Sequence, residues 1–389
     1  MTTVADTTTD LIAAAKALAP AIEAYRDESE RERSLPTELM RSIIDSEVLR
    51  AWVPRSIGGL ETDVETFLRV IEEVAQVDGA AGWNVMIAGS GGRIAGFLPQ
   101  DAAQEIFGDP RSITAGAFAP KGRAVPVNGG YRVTGRWPLA SGCQHAQWLG
   151  GGCLIFDGGD APRMAPDGIP DLRLMFAPAE ECQIHDTWYS AGLRGTGSHD
   201  IEMRDLFIPA ERAFALLNPT RHEPGALYRA GILPIFSTVV ASVALGIARG
   251  ALDAFEALAG KKAPTFSMKL LRDRGSVQAK VGEAEAIFRS GRAFLFETVR
   301  DAWATMQADE DFSEEQRALI SLSAAHAAAC SAEAVDIVYT LGGATSVYTS
   351  SRLERCLRDV HVVTQHVGAS FSWYERTGQY FLGMGIGGF

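Results

Sequence analysis

A short polar turn is the part of this sequence best suited to chemistry. It lies in GRWPLASGCQHAQW (residues 135–148), where an alternating run ends at Trp137 and the small residues Ala140-Ser141-Gly142 follow. Such a turn exposes a hydroxyl group and free backbone N–H groups, which are donors suited to the edge of a planar heterocycle. A plain strand end with a structural tryptophan explains the same pattern, so the turn predicts a site only together with other segments.

A histidine near the end of the chain, His366, is the second candidate. Imidazole titrates near neutral pH and can act as a base or as a hydrogen-bond donor, although a structural histidine explains a lone His better. His361 and His366 are five positions apart, which places them about 140° apart around a helix. A metal-chelating pair on one helix face is four positions apart, so we predict no metal site.

Several common cofactor and catalytic motifs are missing. The sequence contains no GxxxxGK[ST], no HExxH and no GxSxG, which argues against a P-loop, a zinc protease and a nucleophile elbow. The stretch Gly383-Met-Gly-Ile-Gly387 resembles a dinucleotide loop in composition only, because no helix follows it to receive a pyrophosphate. A flexible tail explains it better, and we expect no nicotinamide site in this chain.

Composition excludes further classes of partner. The 389 residues include 36 Lys+Arg and 48 Asp+Glu, a net charge of −12, with no basic run longer than two residues, which argues against nucleic acid. No run of about 18 apolar residues occurs, so we expect no membrane span; the most apolar stretch, residues 231–252, predicts a buried helix. Five cysteines without CxxC spacing and a start without a secretory signal predict reduced thiols and a cytoplasmic protein.

Helical patterns open the chain, over residues 8–108. Apolar residues three to four apart predict one helical face over residues 11–25. Ser34 is a plausible N-cap for the next helix. Asp63 or Thr62 is expected to cap a helix that runs to Val77.

Alternating runs and a second set of helices follow. Short alternating runs between Ser112 and about Phe214, with turn signals such as Asn128-Gly129, predict a β-domain. Helical periodicity then returns over four segments, 227–260, 270–309, 313–340 and 350–366. Helices, then strands, then helices is an α+β pattern.

The chain resembles the acyl-CoA dehydrogenase superfamily along nearly its whole length. Five segments in the family's order carry the resemblance: VPRSIGGLE (53–61), GGYRVTGRW (129–137), AGLRGTGSHDI (191–201), LGG (341–343) and RCLRD (355–359). The resemblance implies an N-terminal helical domain (residues 1–110), a central β-barrel-like domain (111–220) and a C-terminal four-helix bundle (221–389). It also implies a homotetramer that holds a flavin between domains and subunits.

Two chemistries compete within that superfamily. A dehydrogenase removes an α-proton from an acyl thioester with a glutamate, but Val367 stands at the expected position, and residues 231–252 contain no Asp or Glu. Residues 137–148 and 358–366 (RDVHVVTQH) resemble instead the two-component, group D flavin-dependent monooxygenases of the same fold. Alternatives are an acyl-CoA dehydrogenase with an unrecognised base, a flavin-dependent oxidase or N- or S-oxygenase, and a catalytically silent flavin-binding homologue.

The monooxygenase resemblance implies a mechanism. Reduced flavin (FMNH2 or FADH2) and O2 would oxygenate a small aromatic or heteroaromatic substrate, indole- or phenol-like, through a C4a-(hydro)peroxyflavin. A separate NAD(P)H:flavin reductase would supply the flavin, since this chain shows no nicotinamide site. Ser141 takes the place of the family's serine beside flavin N5, where a hydroxyl and a dry pocket limit loss as peroxide. His366 takes the place of the active-site histidine, which deprotonates the substrate or stabilises the charge of the peroxide.

Further site residues follow from the resemblance alone. The implied flavin contacts are Gly116, Ala117, Trp137, Ser141, Gly142, Trp188, Arg272, Gly342 and Gly343. Among these, Arg272 is a candidate phosphate anchor, and a surface arginine at a helix end is its alternative. The implied substrate pocket contains Trp83, Gly91 and Phe371, although core packing explains the aromatic residues as well. Gly91 stands about where aromatic-hydroxylating relatives carry another histidine, which favours an indole, thioether or amine that needs no such base.

Overall fold

Six helices open the chain in the computed structural model, which describes residues 4–165 and 168–386. They are α1 (Val4–Ala17), α2 (Ala19–Glu32), α3 (Thr37–Asp45), α4 (Val64–Val77), α5 (Gly79–Gly91) and α6 (Gln100–Phe107). A short 3-10 segment, Gly92–Phe97, continues the direction of α5. These helices confirm the predicted helical start of the chain.

The helical face predicted over residues 11–25 belongs to two helices rather than one. The chain breaks at Leu18, between α1 and α2, and Pro20 lies in the first turn of α2. Proline has no backbone N–H to donate to the preceding turn and its ring clashes with that turn, so α1 cannot continue through it. The apolar period crosses the break because both helices pack on the same core.

The two predicted N-caps have opposite outcomes. Ser34 does not cap a helix: its Oγ lies 3.1 Å from Nε2 of His145, and α3 begins only at Thr37. Asp63 caps α4 as predicted, since its carboxylate accepts a 2.8 Å hydrogen bond from the N–H of Thr66.

Seven strands form one mixed sheet. They are β1 (Thr114–Val127), β2 (Gly130–Ala140), β3 (Trp148–Ile155), β4 (Leu172–Pro178), β5 (Gln183–His185), β6 (His199–Pro209) and β7 (Ala213–Ala215), in the spatial order β5-β6-β2-β1-β3-β4-β7. The pair β1–β3 is parallel and the other pairs are antiparallel. The predicted turn at Asn128-Gly129 joins β1 to β2, with Gly129 at a φ of 79° that suits glycine.

The sheet is irregular in three places: one is a register shift between Val133 and Gly135 of β2, and the other two border the site. Pairing between β1 and β3 shifts register between Ala117 and Gly122, and pairing between β2 and β6 shifts between Trp137 and Ala140. The extra residues in each bulge leave the ladder and bend the strand. As described below, residues at both bulges line the site.

Five further helices complete the chain. They are α7 (Ile232–Ala259), α8 (Gly275–Gln307), α9 (Glu314–Gly342), α10 (Arg352–Val363) and α11 (Ser372–Phe381). Helices α7 to α10 pack on one another as the predicted bundle, and α7 also packs on α4. The predicted start at residue 227 is too early, because Gly231 is the N-cap of α7.

Two helical stretches of the bundle are long and apolar enough to cross a bilayer. They are α7 and residues 314–347, and 78% and 67% of their most apolar windows are buried inside the molecule. The prediction of a buried helix over residues 231–252 is confirmed by α7, and the most apolar parts of both stretches are mostly buried. Their burial makes them core helices of the bundle.

The N-terminal helices and the bundle share one apolar core, and the sheet has a second core of its own. A Cβ built on Gly246 of α7 would lie 2.6 Å from the Cβ of Ala75 of α4, so the two helices touch closely. The predicted domain boundaries at residues 110 and 220 stay a prediction. Residues 387–389, the end of the glycine-rich tail, lie outside the described residues.

Candidate active site

A cavity of about 600 Å³ lies where the sheet meets the N-terminal helices and the bundle. Its walls come from α5, from the bulged parts of β1 and β2, from the first turn of α7 and from the segment after α10. The lining is mostly apolar, and no described lining residue is an aspartate or a glutamate. The cavity therefore offers an apolar environment with few, placed polar groups, the pattern of a small-molecule site.

Seven of the predicted site residues line this cavity: Trp83, Gly91, Gly116, Ala117, Ser141, Trp188 and His366. They come from all three regions of the chain. The packing of the regions therefore brings together the helix of Trp83, the polar turn of Ser141 and the C-terminal histidine.

Ser141 belongs to a chain of hydrogen-bonded hydroxyl groups. Its Oγ accepts a 2.9 Å hydrogen bond from Nε1–H of Trp83 and lies 2.7 Å from Oγ of Ser198. Oγ of Ser198 lies 2.6 Å from Oγ1 of Thr196. The sequence analysis did not single out Thr196 and Ser198, although both stand in AGLRGTGSHDI, one of the segments that carried the resemblance. Both also line the cavity.

Left-handed backbone conformations shape the turn that presents Ser141. Leu139 has a φ of 63° and Gly142 a φ of 73°, and a Cβ on Gly142 would come within 3.0 Å of Oδ1 of Asn84. The N–H of Ser141 donates to the carbonyl of Leu139 and the N–H of Gly142 to that of Thr196, at 3.0 and 2.9 Å. The expectation of free backbone N–H donors here is therefore wrong, and the hydroxyl is the group that the turn offers.

His366 is held among aromatic rings in one tautomer. The centroid of its ring lies 5.7 Å from those of both Trp83 and Phe236. The backbone N–H of Gly368 donates a 3.0 Å hydrogen bond to Nδ1, so Nδ1 is unprotonated and the neutral ring carries its proton on Nε2. Burial lowers the pKa of His366 to about 4, because a charged imidazolium is poorly solvated among apolar side chains.

Three predicted contacts lie outside the lining. Trp137 is fully buried in the sheet, where its Nε1–H donates to the carbonyl of Gly152 at 2.8 Å. Gly142 lies behind Ser141 and permits the turn. Phe371 is 80% exposed and stacks on Tyr374, with ring centroids 5.3 Å apart. Trp137 and Gly142 therefore support the site from behind, and Phe371 is not a wall of this cavity.

The predicted phosphate-binding group lies far from the cavity. Nζ of Lys262 bonds the carbonyl of Gly342 at 2.5 Å, and the side chain of Arg272 is 64% exposed. Lys262 follows the C-terminal end of α7, whereas the first turn of α7 lines the cavity. A helix of 28 residues is about 40 Å long. Arg272, Gly342 and Gly343 are therefore brought together near one surface, but not with the other candidates.

Besides Thr196 and Ser198, sequence reasoning missed Arg93 and Trp52 of the lining. Arg93 is 2% exposed and Trp52 is 1% exposed, and both line the cavity. Arg93 was detectable as the single charged residue within GSGGRIAGF (residues 89–97), an otherwise apolar stretch. Nothing in the sequence marked Trp52, because a buried tryptophan is usually core packing.

Helices, then a sheet, then a helical bundle around a dry cavity define the acyl-CoA dehydrogenase fold. The family model described as "Acyl-CoA dehydrogenase, C-terminal domain" matches residues 238–371. XiaF from Streptomyces sp., solved in complex with FADH2 and glycerol, matches with a TM-score of 0.89 and 26% identity, covering 98% of this chain and 96% of that one. The predicted fold class is confirmed.

Similar proteins of named activity narrow the class of enzyme within this fold. An indole-3-acetate monooxygenase of Pseudomonas putida is 34% identical over 382 residues, 95% of each chain. The oxygenase subunit HsaA of a flavin-dependent monooxygenase of Mycobacterium tuberculosis is 29% identical over 366 residues, 92% of this chain and 91% of the relative. The chain therefore belongs to the flavin-dependent monooxygenases of the acyl-CoA dehydrogenase fold. The predictions of an oxidoreductase, of reduced flavin as its cofactor and of monooxygenation rather than acyl-CoA dehydrogenation are confirmed.

Proposed function

We propose that this chain oxygenates a small aromatic or heteroaromatic molecule, indole- or phenol-like, with reduced flavin delivered by a separate NAD(P)H:flavin reductase. The observation that carries the proposal is the dry cavity in which a hydroxyl chain and an N–H-donating histidine meet. The named substrate of the Pseudomonas putida relative is an indole, which supports an aromatic substrate. The relatives' description as oxygenase subunits supports the separate reductase.

The residues of the cavity fit a flavin ring. A planar heterocycle needs an apolar slot with donors and acceptors at its edge, and the chain supplies the hydroxyl groups of Ser141, Ser198 and Thr196 beside apolar walls. Gly116 and Ala117 add small side chains at the bulge of β1, and Trp188 adds a flat surface. We propose these residues as the flavin contacts. XiaF, with the same fold, was solved with FADH2.

When bound, reduced flavin supplies two electrons to O2, so that one oxygen atom enters the substrate and the other leaves as water. The residues of this chain keep that chemistry dry and place its protons. The apolar lining would limit the entry of bulk water and with it the loss of oxygen as peroxide. Ser141, whose Oγ accepts the hydrogen bond from Nε1–H of Trp83, would present its hydroxyl to the edge of the ring.

His366 acts as a hydrogen-bond donor rather than as a base. Its Nδ1 is engaged by Gly368 and its Nε2 carries the proton, so the neutral ring has no free lone pair for a substrate proton. A pKa of about 4 also makes the ring a weak base at neutral pH. Nε2–H can instead donate to an oxygen atom in the cavity. Of the two roles that the sequence left open, the geometry favours stabilisation of negative charge.

Gly91 leaves the substrate end without a second histidine. A Cβ at this position would lie 2.7 Å from Oγ1 of Thr114, so α5 and β1 approach closely there. With His366 fixed as a donor, no described lining residue is an evident base for a phenolic proton. An electron-rich indole, which is oxygenated without prior deprotonation, suits the site better than a phenol.

The surface group of Arg272, Gly342 and Gly343 supports an assembly of more than one copy, which we propose to be the homotetramer that the resemblance implies. It lies a helix length from the cavity of its own subunit, so it can reach only a flavin that another copy holds. The side chain of Arg272 is 64% exposed and its Nε lies 3.8 Å from Oδ1 of the exposed Asp273, so most of the guanidinium can still pair with a phosphate. We propose that these residues bind the flavin tail of a neighbouring subunit in a cytoplasmic tetramer.

Oxygen-atom transfer tests the proposed function. The purified chain, a generic flavin reductase, NAD(P)H and ¹⁸O2 are incubated with indoles, phenols, thioethers and an acyl-CoA. We expect one ¹⁸O atom in an aromatic product, formed only when the reductase is present. Bleaching of bound oxidised flavin by the acyl-CoA, or peroxide as the sole product with every compound, would contradict the proposal.

A further inference from the structure

Three buried hydroxyl groups form a continuous chain along one wall of the cavity. Oγ of Ser141 lies 2.7 Å from Oγ of Ser198, which in turn lies 2.6 Å from Oγ1 of Thr196. The three residues are between 2% and 5% exposed, and all of them line the cavity. At one end of the chain Nε1–H of Trp83 is a fixed donor, which donates to Ser141 at 2.9 Å. Along the rest of the chain either oxygen of each pair can be the donor.

Backbone hydrogen bonds hold the three oxygen atoms in place. The N–H of Gly142 donates to the carbonyl of Thr196 at 2.9 Å, which ties the turn of Ser141 to the segment that carries the other two hydroxyl groups. The N–H of Thr196 donates to the carbonyl of Leu193 at 3.1 Å. Asp359 of α10 accepts a 2.6 Å hydrogen bond from the N–H of Leu193. The fold therefore fixes the spacing of the oxygen atoms, and only the hydroxyl protons are free to change position.

A count of these protons leaves one for the cavity. Each hydroxyl group has one proton to donate and two lone pairs to accept with. The two contacts between the hydroxyl groups use two of the three protons, and Trp83 is the only other described residue that bonds to these oxygen atoms. When the chain donates from Thr196 towards Ser141, the free proton is on Ser141. When it donates in the opposite direction, the free proton is on Thr196, and it is on Ser198 only if both ends donate inwards.

A flavin ring needs the chain in both directions. N5 of an oxidised flavin accepts a hydrogen bond, whereas N5 of a reduced flavin carries a hydrogen atom and donates one. An oxidised ring at Ser141 therefore needs the free proton there, and a reduced ring needs a lone pair there instead. A serine without a hydroxyl neighbour could accept from a reduced ring only by leaving its own proton unpaired, which is costly in an apolar cavity.

We propose that Ser198 and Thr196 are positioning residues that let the chain reverse its direction with the oxidation state of the flavin. The inference rests on the proposed function, since it uses the flavin contact proposed for Ser141. With reduced flavin, Ser141 donates to Ser198 and Ser198 to Thr196, which presents the free proton to an acceptor in the cavity. With oxidised flavin each hydrogen bond runs the other way. Rotation about three C–O bonds achieves the reversal, so no covalent bond breaks and no proton is gained or lost.

The variant Ser198→Ala interrupts the chain and tests this. The dissociation constants of oxidised flavin and of reduced flavin are measured, the second without oxygen. Oxidised flavin still receives the proton of Ser141, but reduced flavin leaves that proton without an acceptor. We expect the affinity for reduced flavin relative to oxidised flavin to fall about tenfold, which corresponds to a potential of the bound flavin lower by about 30 mV. An unchanged ratio of the two constants would overturn the inference.

Two matched variants separate this effect from a loss of packing. Ser331 is also fully buried and donates to the carbonyl of Ala327 at 2.7 Å, but it does not line the cavity. We expect Ser331→Ala to leave both constants unchanged, and Ser198→Thr, which keeps a hydroxyl group, to restore the ratio of the wild type. If Ser198→Ala weakens both forms of flavin equally, Ser198 serves only the shape of the pocket and the inference is wrong.

The far end of the chain provides a second test, which stays decisive if Ser198→Ala does not fold. Thr196→Val keeps the shape of the side chain and removes the group that presents the free proton when flavin is reduced. We expect the ratio to shift in the same direction, by several-fold, and no shift would contradict the proposed direction of the chain. These measurements use neither oxygen nor substrate. A shifted ratio in a protein that transfers no ¹⁸O would refute the proposed function alone, whereas ¹⁸O transfer with an unchanged ratio would refute the reversal alone.

Discussion

Replacing His366 by alanine and by glutamine separates a donor from a base. Alanine removes every polar group of the side chain, whereas glutamine keeps an N–H donor and has no group that titrates near neutral pH. If Nε2–H stabilises negative charge in the cavity, His366→Ala should lower the rate of product formation by about 100-fold, the usual effect of losing one such donor. His366→Gln should then retain a substantial part of the activity.

The pH profile follows from the same geometry. Since burial sets the pKa of His366 at about 4, roughly one ring in a thousand is protonated at pH 7. The rate of product formation should therefore show no loss near pH 6 to 7 that depends on this residue. A general base with the ordinary histidine pKa would instead lose activity as the pH falls through that range.

The assay measures the rate of product formation, with reductase in excess, between pH 6 and 8. His145 supplies the matched control: burial also lowers its pKa, and it contacts Ser34, but it does not line the cavity. His145→Gln should leave the rate and its pH profile unchanged. The reasoning fails if His366→Gln is as inactive as His366→Ala, or if an acid limb in the wild type disappears in His366→Gln.

Three further substitutions test the surroundings of the site. Ser141→Ala leaves the buried N–H of Trp83 without its acceptor, so we expect a loss of about 1–3 kcal/mol in unfolding free energy and more peroxide per turnover. The buried control Ser242→Ala should change only stability. An unchanged amount of peroxide per turnover in Ser141→Ala would exclude a role of Ser141 in the reaction. Gly142→Ala and Gly129→Ala both place alanine at a positive φ, 73° and 79°, but only the new Cβ at position 142 meets a neighbour, Oδ1 of Asn84 at 3.0 Å. Peroxide release should therefore rise only in Gly142→Ala. An equal rise in both variants would contradict this prediction. Burial and the neighbouring Asp78 raise the pKa of Asp359 to about 7. Between about pH 4 and 7 the folded state therefore keeps a proton on Asp359 that the unfolded chain has released. The stability that this bound proton contributes is lost as the pH rises through that range. Asp359→Asn should remove this pH-dependent part of the unfolding free energy, measured by urea unfolding across that pH range. An identical slope of unfolding free energy against pH in wild type and variant would refute the prediction.

The local sequence predicted which residues belong to the site better than it predicted the contacts between them. The small turn and its hydroxyl were evident at Ser141, and segment order placed His366 in the family's register. The hydrogen bond from Trp83 to Ser141 joins positions 58 residues apart, and tertiary packing alone determines such a contact. The tautomer of His366 depends on a backbone N–H two residues later, which no residue type reveals.

A buried charge and a predicted helix end show the same limit: the residue type is visible in the sequence, but its hydrogen-bond partners are not. Arg93 is a single letter in a glycine-rich stretch, and only the folded structure shows that it donates to four backbone carbonyls just before and at the start of α7. Ser34 has the residue type of an N-cap but bonds a histidine more than a hundred positions away. Periodicity gave the bundle helices to within a few residues, because long apolar faces dominate their burial.

The shared apolar core has a consequence for how this chain folds. The sheet is an insertion: the chain leaves the helical body before β1 and returns to it at α7, and α4 and α7 touch at Ala75 and Gly246. During synthesis the N-terminal helices emerge first, but the surface that must cover them emerges only after the sheet has been made. Contacts between such distant positions form slowly and leave apolar surface exposed in the meantime. The N-terminal helices are therefore covered only after the bundle helices have been synthesised. A chain truncated within the bundle should aggregate rather than form a smaller folded protein.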